Sequence, residues 1–90
     1  MPFYCYMVEC ADGSLYTGWS SDPRRREAAH NAGRGARYTR MHRPVRLVYA
    51  EEQPDHPAAL RRERAIKHLT REQKLGLVNS PSNQLNELCP

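Results

Sequence analysis

Tyr4-Cys5-Tyr6-Met7-Val8-Glu9-Cys10-Ala11-Asp12-Gly13-Ser14-Leu15-Tyr16-Thr17-Gly18 holds two runs of strand-forming residues around an Asp-Gly pair. Asp-Gly between such runs is a strong short-range signal for a β-hairpin. The hairpin carries two phenols, Tyr6 and Tyr16, and the loop decides whether they share a face. A two-residue loop, Asp12-Gly13, sets Tyr16 opposite Glu9 and turns the tyrosines to opposite sides, because strand side chains alternate with period 2. A three-residue loop, Ala11-Asp12-Gly13, sets Tyr16 opposite Val8 and puts Tyr6, Val8, Tyr16 and Gly18 on one face. It needs a left-handed residue, which Gly13 supplies without steric cost. The residues alone leave both registers open.

Outward from the hairpin, Asp22-Pro23 opens a helix: Asp22 suits the N-cap, and Pro23 at the first helical position gives up an amide that has no helical partner anyway. The helix is expected to reach about Asn31 and to end at Gly33 and Gly35. Its apolar content is only Ala28, Ala29 and Ala32, so it is expected to lie shallowly on the sheet with its arginines outward. Arg26 and His30 are four apart and so are neighbours on one side of it. Residues 33–44 have no clear period and are expected to form a basic loop. Tyr38 in that loop is equally suited to stacking on a base and to anchoring the loop to the domain. Residues 45–51 alternate well and give the third strand.

A helix from Pro57 or Ala58 to about Leu69 has an inward stripe of Ala59, Leu60, Ile66 and Leu69, and Glu63 falls inside it. A carboxylate on the buried side of a helix is costly unless paired or bound to a cation. A salt bridge to an arginine and a metal-binding or catalytic role both meet that requirement. Thr70-Arg71-Glu72-Gln73 reads as a capping box for a last short helix through Val78. The expected fold class is therefore α+β, a three-stranded antiparallel sheet flanked by three helices. One domain is expected over residues 1–79, with a loose tail at 80–90.

Ninety residues leave room for one modest core, and no run approaches the roughly 20 apolar residues that span a membrane. There is no charged region followed by an apolar one at the N-terminus, and Cys5, Cys10 and Cys89 are odd in number and widely spaced. These features point away from secretion and a disulfide framework, towards a cytoplasmic protein. Cysteine and histidine show no zinc spacing. Residues 24–46 hold eight arginines against one acid, Glu27, for a local charge of +7 in a chain of +4, leaving −3 for the remainder. Arginine suits bidentate contact with phosphate, and a concentrated basic segment is the electrostatic footprint of a nucleic-acid binder.

The order of these features resembles the GIY-YIG nuclease superfamily over residues 3–78. Tyr4-Cys5-Tyr6 stands for the first half of its motif, with Tyr4 in place of the name-giving glycine. Tyr16-Thr17-Gly18 stands for the second half, Arg26 and His30 match the helix positions, and Ala59-Leu60-Arg61-Arg62-Glu63 matches the segment with the metal-binding glutamate. More narrowly, residues 11–18, Ala36-Arg37-Tyr38-Thr39 and residues 43–49 are similar to the small stand-alone bacterial members. The resemblance implies a Mg²⁺- or Mn²⁺-dependent endonuclease acting on DNA, with a structure-specific role in repair or recombination. It implies one ion at Glu63, Arg26 on the scissile phosphate, and Tyr6, Tyr16 and His30 orienting or deprotonating the nucleophile. It also implies the shared tyrosine face, hence the three-residue loop. Trp19 stands where some relatives carry lysine, which raises His30 over tyrosine as the base. Arg25, Arg34, Arg37, Tyr38, Arg40 and Arg43 are the expected nucleic-acid contacts. With no extra targeting domain, self-association or a partner would supply part of the specificity. The rival reading is a binding module that keeps the fold without cleaving.

Overall fold

The computed structural model describes residues 2–88. Strands β1 (Phe3–Glu9) and β2 (Leu15–Ser20) form the hairpin, and β3 (Arg46–Gln53) pairs with the other side of β1, giving an antiparallel sheet of order β2-β1-β3. The loop is the three-residue one. Val8 faces Tyr16 and Tyr6 faces Gly18. The Cys10 N–H donates to the Ser14 carbonyl at 2.8 Å, the Gly13 N–H donates to the Cys10 carbonyl at 2.9 Å, and Gly13 takes φ +85°. Asp12 Oδ1 accepts both the Ser14 N–H and the Ser14 hydroxyl, so the turn is closed by local polar groups.

Four helices flank the sheet: α1 (Pro23–Asn31), α2 (Arg37–Met41), α3 (His56–Lys67) and α4 (Arg71–Val78). The caps act as their chemistry dictates. Asp22 accepts the Arg25 N–H, Asp55 accepts the Ala58 N–H, and Thr70 with Gln73 forms the reciprocal capping box. The expectation of three helices is corrected by α2, a single short turn and a half inside the segment read as irregular. It was invisible to periodicity because only Thr39 of its residues is buried.

The two sides of the sheet carry separate cores. Cys5, Met7, Val48, Tyr49 and Ile66 pack beneath α3 and α4, with Leu15, Leu69, Leu77 and Val78 around them. Tyr6, Val8, Cys10, Val45 and Leu47 form the other core, with Tyr16, Leu85 and Leu88 around it. The clean alternation expected of the third strand is interrupted by a bulge, since Met7 faces Tyr49 while Val8 faces Leu47. The extra residue, Val48, sends Tyr49 to the α3 side while Leu47 stays on the Tyr6 side.

Helix α1 buries only Pro23 and His30, so polar pins hold it where burial cannot. Glu27 Oε2 accepts the Leu47 N–H at 2.7 Å. The Asn31 amide accepts the Val45 N–H at 2.7 Å and donates to the Val45 carbonyl at 2.9 Å. Hydrogen bonds of this kind contribute about 1 kcal/mol each, more to a charged partner. The segment from Ser80, expected to be loose, lies against the sheet over its described part. The Gln84 N–H donates to the Ala50 carbonyl at 2.8 Å, Asn83 donates to the Val48 and Val78 carbonyls, and a turn of 3-10 helix at Leu85–Glu87 sets Leu85 and Leu88 on the second core. Cys89 and the end of the expected tail lie outside the described residues.

Candidate active site

The site grows from the shared tyrosine face. Tyr6 lies on the central strand and is 1% exposed. Its ring covers Gly18 on the neighbouring strand, where a Cβ would stand 2.7 Å from the phenol oxygen. Glycine is required there for contact, not for backbone freedom. From above, α1 delivers His30, fully buried, with Nε2 2.8 Å from Tyr6 Oη. From α2, Thr39 Oγ1 meets His30 Nδ1 at 2.8 Å. Gly35 closes this corner, since a Cβ there would stand 2.0 Å from Nδ1.

The direction of the protons follows from the last link. Thr39 has one hydroxyl proton, and it goes to the Ala36 carbonyl at 2.8 Å. The Thr39 oxygen must then accept from His30, so Nδ1 carries the proton and the neutral ring presents a lone pair at Nε2. Tyr6 Oη donates to that lone pair. Burial, and then the charge of Arg26, pushes the His30 pKa below its usual value, which keeps the ring neutral and able to accept a proton. Burial pushes the Tyr6 phenol up to about 12 against the opposing hydrogen bond from Arg26. Tyrosinate is therefore costly here unless the phenol's proton moves to His30.

Around this pair the other expected residues fall into distinct places. Tyr16 meets the His30 ring edge-on at a centroid distance of 5.6 Å. Arg26 is exposed, and its charge favours ionisation of the Tyr6 phenol. Glu63 lies on α3 and is 19% exposed, paired with Lys67 at 3.5 Å. Its charge reaches Tyr6, where it opposes ionisation. Tyr38 anchors its loop: it stacks on Tyr16 with ring planes 17° apart, donates to Ser14 Oγ at 2.8 Å, and lies 4.4 Å from the His42 ring. Arg25, Arg34, Arg37 and Arg40 are exposed, whereas Arg43 donates to the main-chain carbonyls of Arg40 and Asn31 and braces the loop.

Residue types and their order also match a known family. The description GIY-YIG catalytic domain covers residues 2–76. The chain belongs to the GIY-YIG family. Among GIY-YIG relatives, the UPF0213 protein of Streptococcus sanguinis is 49% identical over 75 residues, spanning 83% of this chain and 86% of its own. A UPF0213 protein of Staphylococcus aureus is 49% identical over 75 residues, spanning 83% and 92%. Two solution structures share the fold. The UPF0213 protein of Bacillus halodurans does so at 44% identity and TM-score 0.58, over 91% of this chain and 87% of that one. A protein of E. faecalis does so at 41% identity and TM-score 0.55, over 82% and 79%.

Thr39 and Gly35 were not singled out from the sequence as parts of the site. The signal for Gly35 was present in Gly33-Arg34-Gly35, which was read as helix termination, and only Gly33 has the positive φ of a terminator, at +82°. Among the described residues no three of His, Cys, Asp and Glu cluster as a metal site. The carboxylate that the family resemblance offers to a metal is that of Glu63, paired here with Lys67. That chemistry fits Mg²⁺ or Mn²⁺, which bind through one or two carboxylates and take their remaining ligands from water and substrate phosphate. It does not fit a metal that needs an all-protein cage.

Proposed function

We propose that this GIY-YIG protein is a metal-dependent nuclease that cleaves phosphodiester bonds in DNA. The observation that carries the reading is the directed chain Tyr6–His30–Thr39 beside an exposed arginine. A protein that only bound nucleic acid would have no use for a neutral, buried histidine holding its lone pair on a phenol. In the proposed reaction a phosphate drawn to Arg26 arrives near the Tyr6 oxygen, because Arg26 lies close enough for its charge to act on that phenol. As a water attacks phosphorus, its proton passes to the phenol oxygen while the phenol proton passes to Nε2. Tyr6 thus never carries a full charge, and His30 becomes the cation that Thr39 and Tyr6 hold. Arg26 stabilises the negative charge that grows on the phosphoryl oxygens. A divalent ion at Glu63 supplies Lewis-acid stabilisation of the same charge and of the departing oxygen when bound.

The Glu63–Lys67 pair favours the rival reading, a binding module whose carboxylate serves the helix. An i,i+4 pair of this kind contributes only about 0.3–0.5 kcal/mol, so it offers little competition to a divalent ion. The two readings separate in one assay. Labelled single-stranded, duplex, flap and branched DNA and RNA are incubated with Mg²⁺, with Mn²⁺ and with chelator, using Glu63→Ala and Arg26→Ala as controls. Cleavage that needs metal and falls at least about 100-fold in each variant is expected. Undiminished cleavage in Glu63→Ala sinks the assignment, and salt-sensitive binding without any cleavage establishes the module.

A further inference from the structure

A second group of aromatic rings stands at the free edge of β2, outside the tyrosine–histidine chain. Trp19 lies with its ring centroid 4.4 Å from His56 and 6.0 Å from Phe3, and Phe3 and His56 stack at 5.6 Å with planes 28° apart. These three come from β2, β1 and the first turn of α3, so they meet only in the folded chain. None is fully buried: Phe3 and Trp19 are partly buried and His56 is exposed. Trp19 also borders a surface hollow of about 330 Å³ whose other walls are Ser20, Ser21 and Arg26. A neighbouring hollow is walled by Ser20, Ser21, Asp22, Arg25, Arg26 and Ala29. Trp19 and Arg26 therefore border the same space.

Trp19 is not among the residues of the apolar core on the α3 side. A large ring left partly exposed beside cationic guanidinium groups matches one ligand chemistry well: a nucleotide, whose phosphate takes the arginines and whose base takes the ring. A base inside a duplex is already stacked on both sides and cannot offer its face to Trp19. We infer that the Trp19 platform, backed by Phe3 and His56, stacks an unpaired nucleobase next to the phosphate held by Arg26. The substrate is then a strand with at least one unpaired nucleotide at the cleavage point. This deepens the nuclease reading, and it rests on that reading for the phosphate at Arg26.

Trp19 is the sole tryptophan of the chain, so intrinsic fluorescence reports on this position alone. The full chain, in chelator, is titrated with an oligothymidylate, with a strand of equal length carrying abasic units, and with a blunt duplex. Strong quenching by oligothymidylate is expected, with several-fold less from the abasic strand and the duplex at equal occupancy, measured by anisotropy of a label on the nucleic acid. Trp19→Ala should weaken binding of oligothymidylate roughly 5- to 150-fold, the range of one base–aromatic stack. Its salt slope should stay unchanged, because the phosphate contacts remain. Trp19→Phe should recover most of the affinity, which separates stacking from damage to the fold. Equal quenching by the abasic strand, or Trp19→Ala binding as tightly as the parent, overturns the inference. Base-dependent quenching without cleavage in Mg²⁺ or Mn²⁺ would remove the nuclease reading and leave the platform standing. Cleavage without base-dependent quenching would do the reverse, and no binding to any strand would overturn both.

Discussion

Each side of the sheet buries a chain of polar groups, and the two chains are opposite in character. On the α3 side, Tyr49 donates to Glu51, and Arg62 meets the same carboxylate through Nε at 2.6 Å and Nη2 at 3.2 Å. Gln53 donates to Glu51 as well, at 2.6 Å. That cluster is charged and saturated: the carboxylate is 15% exposed and has a donor on every side. On the tyrosine side, the chain Tyr6–His30–Thr39–Ala36 carbonyl carries no net charge, and each member donates to the next or accepts from the last. In the saturated cluster the Tyr49 proton faces a carboxylate already held by Arg62 and Gln53. The neutral chain has a proton on Tyr6 and a basic nitrogen facing it. Burial alone does not distinguish a structural cluster from a reactive one; the direction of its donors does.

Three experiments probe that contrast, taken from the largest effect to the smallest. His30→Ala should lower metal-dependent cleavage about 10²–10⁴-fold, the usual contribution of a positioned acid–base group. Glu51→Gln should change it by only a few-fold. Equal losses in steady-state rate for the two variants would erase the distinction between the sides. In stability the order should reverse in emphasis. Glu51→Gln leaves Arg62 and Tyr49 competing for a weaker acceptor and should cost about 1–3 kcal/mol, read as a lower urea midpoint at an unchanged m-value. A midpoint equal to that of the parent would show that the cluster contributes nothing. The smallest effect is in pH. His30 binds a proton less readily in the folded chain than in the unfolded one, so below about pH 6.5 the unfolded state takes up more protons and stability falls. Urea midpoints measured at falling pH should decline more steeply in the parent than in His30→Gln, which cannot titrate. Parallel slopes would mean that His30 is not held neutral.

Much of the fold was legible because its signals are local. The helix starts at Asp22 and Thr70 need only a side chain that reaches its own backbone three residues on, and both caps form. Arg26 and His30 were placeable on one side of a helix because that spacing is a property of the helix alone. Residues 33–44 were illegible for the converse reason. Helix α2 has no apolar stripe, and what holds it is the contact of Thr39 with a histidine nine residues earlier. Tyr38 could be read as a base stacker or an anchor, and its contacts with Tyr16 and Ser14 make it an anchor. The segment after Val78 looked loose because Ser, Pro and Asn dominate it. Asn83 nevertheless finds the Val48 carbonyl and the Ala50 N–H on β3, which no local pattern could announce.

The hairpin shows where the division falls. By itself the sequence determined that there would be a hairpin at Asp12-Gly13, which helices would start where, and that charge would gather between Arg24 and Arg46, because turn chemistry, caps and charge depend on near neighbours along the chain. Only the tertiary structure decided that the loop has three residues and that Tyr6 lies under His30. It also decided that Thr39 points the proton chain, and that Trp19 and Arg26 border one hollow. Those outcomes join residues 9 to 24 positions apart or set on different strands and helices. Their energies come from packing and desolvation, which exist only once the chain has closed on itself.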